Sequence, residues 1–201
     1  MYNDFINNYF KYYQTLEEQF ISMQKYVEID QLNMNTYSIE YLKLFQAVCS
    51  ELDVVAKEIA LFFDKTFKTK ESSISKWGYV IQENLPEILS TEIGIRDVTS
   101  YGAIAPYANW KYQKNRSAKN NKVSISLVPG AKSLDWWNDY NAVKHQRIGL
   151  IDKQKNYPKA NQWNILKSLA GLFILENSFL KKLEKDERIK DIELHKSSLF
   201  I

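Results

Sequence analysis

Cysteine occurs once in the chain, at Cys49, so no disulfide can close within it. Histidine occurs only at His145 and His195, which with a lone cysteine excludes a Cys/His zinc cluster. The acidic pairs Glu17–Glu18 and Glu92–Asp97 have no histidine in ligand spacing, and there is no glycine-rich phosphate loop or GxSxG elbow. No cofactor and no metal are therefore expected. The longest near-continuous apolar run, Leu169 to Leu175, is too short to span a bilayer. The opening MYNDFINNYF lacks a basic region followed by an apolar run, so no secretory leader is expected, and a reducing, cytoplasmic setting follows. A net charge of +3 is too small by itself to imply nucleic acid.

Glycine and proline are also scarce, at six and four of 201 residues, which favours long uninterrupted helices. Phe5, Tyr9, Tyr12, Leu16, Phe20, Met23 and Val27 step by three or four and draw one apolar stripe. Leu42, Phe45, Cys49, Leu52, Ala56, Ile59 and Phe63 alternate +3 and +4 without a miss, the repeat of a helix packed lengthwise against its neighbours. Ser38 is the expected cap of that second helix. A shorter helix covers Ile74 to Asn84, a fourth runs from about Leu134 to Arg147 with Ser133 as its cap, and a fifth from about Asn161 to Lys185. The centre of the fifth, LAGLFILE, is apolar almost all round, which places it mid-bundle or at a subunit contact. The fold expected is all-α: an up-and-down bundle of four long helices and one short one, in a single domain over residues 1–188. An irregular insertion over 92–132 accommodates a small β-hairpin, and a tail over 189–201 ends in Leu199, Phe200 and Ile201, which dock or pair.

Between Asp97 and Asp135 there is no acidic residue, while Lys111, Lys114, Arg116, Lys119, Lys122 and Lys132 all fall there. This stretch reads as a mobile basic loop, in one reading a solvated surface loop and in the other a source of phosphate contacts, with Lys111, Lys114 and Arg116 as candidate substrate-binding residues. Trp110 and Tyr112 at its start are either base-stacking or packing residues. Val123 to Val128 alternates like a short strand.

The chemistry concentrates in WWNDYNAVKHQR, Trp136 to Arg147. On a helix Asn141 and His145 lie one turn apart on the stripe of Leu134, Trp137 and Ile148, flanked by Lys144 and Arg147. Histidine titrates near neutrality and can both take and give a proton. Two readings stand. In one, His145 bonds a carbonyl at the helix end while Asn141 fastens the helix to its neighbour. In the other, the pair lines a cleft.

YNAVKH in a helix of an all-helical domain resembles the HEPN superfamily, small helical bundles that often dimerise. Many of them are metal-independent ribonucleases of toxin–antitoxin and antiphage systems. The family signature is an arginine, a polar residue and, a few positions on, a histidine. Asn141 matches the polar residue and His145 the histidine, while the arginine position holds Tyr140, or Asp139 or Asn138 in longer spacings. The resemblance implies a homodimer that binds RNA or a nucleotide. Its catalytic pair would be His145 and Asn141, with Tyr140, Lys144 and Arg147 beside the substrate. Against it stands a non-catalytic helical bundle that holds a partner protein.

The heptad seam makes a first prediction. Leu52→Ala should lower unfolding stability in urea by about 2–5 kcal/mol, since it empties a core position. A loss under about 0.5 kcal/mol would mean that the seam is not buried.

Overall fold

The computed structural model describes residues 5–116, 123–151, 154–185 and 196–201. Helix α1 (Lys11–Ser22) continues a π-helical turn (Ile6–Phe10) and ends in a 3-10 turn (Met23–Lys25). Its buried side, Phe10, Tyr13, Leu16 and Phe20, is the expected stripe displaced by part of a turn, because Tyr12 faces outward. Helix α2 (Ile39–Phe63) starts where the Ser38 hydroxyl accepts from the Tyr41 N–H at 3.0 Å, the expected cap. Its heptad positions from Leu42 to Ile59 are all buried. Helix α3 (Ile74–Asn84) runs into a 3-10 turn at Pro86–Leu89.

Helix α5 (Gln162–Lys185) is the spine. Every residue from Asn164 to Leu172 is buried, as an all-round apolar sequence requires mid-bundle. Helix α2 packs along it, α1 and α4 (Asp135–His145) flank it, and α3 packs on α2. The architecture is the expected one of five helices, although α4 stops at His145 and is no longer than α3. Ser133 does not cap α4: its hydroxyl accepts from the Asn138 amide at 2.7 Å, and Leu134 stands at the cap position.

The insertion holds the expected small hairpin, with its second strand where Val123 to Val128 alternates, but its first strand comes from the basic stretch read as a mobile loop. Strand β1 (Tyr112–Arg116) pairs antiparallel with β2 (Val123–Leu127), Lys114 opposite Ile125 and Arg116 opposite Val123. Ser117 to Lys122, between them, lie outside the described residues, as do His195 and the first half of the tail. The cause of the misreading is compositional. Strand β1 has one apolar residue in five, so alternation is invisible, and its order comes from tertiary anchoring.

That anchoring has two parts. The Gln82 side chain of α3 donates to the Tyr112 carbonyl at 2.5 Å and accepts the Tyr112 N–H at 2.8 Å, as a neighbouring strand would. Gly78, one turn earlier, lets the Trp110 ring approach to 2.5 Å of where a Cβ would stand. A side chain there would push the hairpin off α3. Two further strands, β3 (Leu150–Ile151) and β4 (Gln154–Lys155), form a short ribbon after α4.

The C-terminal residues dock on their own chain, as one of the two expectations had it. Gly94 and Ile201 exchange N–H···O bonds at 3.0 and 3.1 Å, and Leu199 and Phe200 are buried. Buried Glu17 of α1 clasps this segment, accepting from the Ser198 N–H at 2.9 Å, from the Tyr13 hydroxyl at 2.6 Å and from the Ser197 hydroxyl.

A second carboxylate is buried without such partners. Glu176 of α5 is fully inaccessible, and among the described residues neither of its oxygens has a hydrogen-bond partner. Burial raises its pKa well above the usual carboxylate value, and the charge of Glu51 on α2 adds to the rise. Glu51 is itself pushed up to about 7 by burial. The folded state therefore binds more protons than the unfolded chain above the ordinary carboxylate range, so stability falls as pH rises. The thermal midpoint should drop between about pH 5 and pH 8, and Glu176→Gln should flatten that slope. An unaltered slope in the variant would show that Glu176 carries no such penalty.

Candidate functional site

Helix α4 turns one face inward. Trp136, Trp137, Tyr140 and Val143 are buried, with Trp137 at 5.7 Å from Trp77 of α3 and Tyr140 at 6.2 Å from Phe45 of α2. Polar clamps hold the helix on α5: Asp135 pairs with Lys167 at 2.6 Å, and Asp139 accepts from Asn164 at 2.9 Å and pairs with Lys159 at 2.9 Å. Asp139, one of the positions where the family pattern expects arginine, thus serves attachment.

The stripe assigned to Asn141 and His145 is not apolar in the fold. Its first members, Leu134 and Trp137, are buried, but Asn141 is half-buried, and His145 and Ile148 are exposed. The helix leaves the body of the bundle as it ends, so its last turn faces water. Among the described residues neither Asn141 nor His145 makes a side-chain hydrogen bond. The two structural tasks considered for them are done by others. Asn156, buried in the loop beyond, donates to the Gln146 carbonyl at 2.8 Å and closes the helix end, while Asn164 fastens α4 to α5.

Beside His145 in the chain stand Lys144 and Arg147, both exposed. The Lys144 ammonium sits over the Tyr140 ring, 5.3 Å from its centre. Tyr140 itself is a core residue, only 5% exposed. Burial raises its phenol pKa, against the pull of Lys144. Its ring is therefore unavailable for stacking on a substrate. Trp110 and Tyr112, the other aromatics considered for stacking, are buried as well and pack against each other and Gly78.

Lys111, Lys114 and Arg116 are exposed, but the fold does not bring them to His145. From Trp137 to Tyr140, α4 moves toward the start of α2, whereas the hairpin lies beside Asp64 at the end of α2. Phe45 and Asp64 are nineteen residues apart, roughly 28 Å at the helical rise of 1.5 Å. Lys114 of the hairpin, beside Asp64, therefore lies toward the opposite end of α2 from Tyr140, while Lys111 lines a separate groove with Leu89 and Trp110. Sequence reasoning missed Gln82, Gly78, Asn156 and Glu176, whose roles depend on contacts distant in sequence. Among the described residues no group of His, Cys, Asp and Glu is placed to hold a metal ion, and no helix is long and apolar enough to cross a membrane.

No family model matches the sequence, and no curated protein or solved structure shows significant similarity to it.

The exposed, unengaged ring makes a direct prediction. His145→Ala should leave the thermal midpoint within about 2 °C of wild type, because surface changes away from caps and networks stay within about 0.5 kcal/mol. A fall of several degrees would return the histidine to a structural role.

Proposed function

We propose that the chain is a HEPN-like helical protein directed at RNA, a metal-independent endoribonuclease of a defence or toxin–antitoxin system, with His145 as its general base. The observation that carries this reading is the solvent-facing imidazole at the end of α4, free of partners among the described residues and flanked by two exposed cations. A histidine kept for packing or capping is normally engaged, and here Asn156 already serves the helix end.

In this reading His145 takes the proton of a ribose 2′-hydroxyl. The freed oxygen attacks the adjacent phosphorus and expels the 5′-oxygen of the next nucleotide, which acquires a proton from water. A 2′,3′-cyclic phosphate and a 5′-hydroxyl result. Arg147 and Lys144 offset the charge that builds on the phosphate, in place of the arginine the family pattern carries at the position of Tyr140. Asn141, one turn earlier on the same face, orients the phosphate. Homodimerisation belongs to this proposal by resemblance.

A second reading, a non-catalytic bundle that binds a partner protein, is favoured by a different feature. A groove of about 780 Å³ between α1 and α2 is lined by Leu16, Met23, Tyr26, Leu44 and Ala47, with Tyr26 87% exposed.

Total RNA incubated with the purified protein in EDTA separates the two. Under the first reading it is cut to fragments ending in cyclic phosphate, and His145→Ala abolishes cutting at unchanged thermal stability. Intact RNA with the wild-type protein defeats the nuclease.

A further inference from the structure

At the end of the molecule remote from His145, the hairpin leans over the connection from α2 to α3 and encloses a groove of about 530 Å³. This lies within the range of small-ligand sites, roughly 300–1,000 Å³. It is lined by Lys68, Lys76 and Lys114 together with the half-buried Phe67, Tyr79 and Ile125. Residues 64–76 hold four lysines against two acids, and the hairpin opposite holds no acid at all. Among the described residues the single carboxylate lining the groove is Asp64. It is turned onto its own loop, accepting from the Thr66 N–H at 2.9 Å and the Thr66 hydroxyl at 2.6 Å. Those bonds, with lesser help from Lys114, keep it ionised to lower pH than usual. Neither Lys68 nor Lys114 forms an ion pair among the described residues, so the excess positive charge faces outward.

We infer that this groove is a binding site for single-stranded nucleic acid, with Lys68 and Lys114 on consecutive phosphates and the rings of Tyr79 and Phe67 under the bases. Cations in the lining suit any polyanion. Aromatic rings in the lining are what select an unpaired strand, because bases in a duplex are stacked on each other and present only their backbone to such a cleft. The inference builds on RNA as the ligand, and it assigns the holding of the strand to a place other than the candidate reaction site. Lys114 comes from β1, so the site exists only because Gln82 and Gly78 hold the hairpin on α3.

The test is fluorescence anisotropy of the full chain with a labelled 2′-O-methyl oligonucleotide of about twelve residues. That probe lacks the free 2′-hydroxyl, so it cannot be cut by the proposed chemistry and reports binding alone. Lys68→Gln with Lys114→Gln should weaken binding about tenfold. The pair should also lower the magnitude of the log K against log salt slope by about 1.4, at 0.7 per phosphate of a single strand. Tyr79→Ser should weaken binding by a similar factor, and Tyr79→Phe, which keeps the ring and the packing, should restore it. Unchanged affinity and slope in the lysine pair overturn the site. Displacement of the probe by polyglutamate as readily as by unlabelled RNA overturns it too, in favour of an acidic protein. Should the probe bind through the groove while RNA survives in EDTA, only the His145 chemistry falls. Should RNA be cut while the probe ignores the groove variants, only the groove falls.

Discussion

Burial of α5 on every side is the constraint from which the rest of the architecture follows. A helix with no solvent face over Asn164 to Leu172 must be covered by neighbours, and α1, α2 and α4 are the helices packed against it. Burying apolar surface on that scale supplies the main driving force for folding. It also fixes distances. Helix α4 is clamped to α5 by Asp135–Lys167 and Asp139–Asn164, and the hairpin is clamped to α3, which rests on α2. Each end of the molecule is thereby held at a set separation from the other.

That separation shapes the functional reading. The family-like pattern around His145 and the basic segment after Trp110 are contiguous enough in sequence to suggest one site, yet Lys114 lies beside Asp64 at the end of α2 while α4 packs on Phe45 near its start. The cations next to His145 in the chain are Lys144, in the last turn of α4, and Arg147, just beyond it. Of the hairpin's cations, Lys114 shares a groove with Lys68 and Tyr79. An RNA strand that uses both ends must run along the bundle or reach a second copy of the chain.

Helices were legible because their signal is local. The unbroken heptads of α2, the Ser38 cap and the all-round apolar centre of α5 each state their position within a few residues. The hairpin was half legible: VSISLV alternates, but its partner YQKNR does not, and its pairing depends on Gln82, thirty residues away. The face of α4 was misjudged for a related reason. Periodicity places Asn141 and His145 on the line of Trp137, but it does not say where the helix leaves the core, and α4 does so after Val143. Residues whose role is to satisfy distant groups, such as Asn156 at the end of α4 and Glu17 under the C-terminal segment, carry no local mark. Glu176 is the sharpest example: its sequence neighbours are those of any helix interior, and only the packing of α1 and α2 shows it to be sealed from water.

Photo-crosslinking with an RNA that carries 4-thiouridine, followed by mapping of the joined peptides, tests most directly whether this chain is built to hold RNA. The account requires adducts in the segments 64–80 and 112–127 and around the end of α4 at 140–149. Adducts confined to the groove between α1 and α2, or none at RNA concentrations that saturate binding of comparable basic proteins, would contradict it.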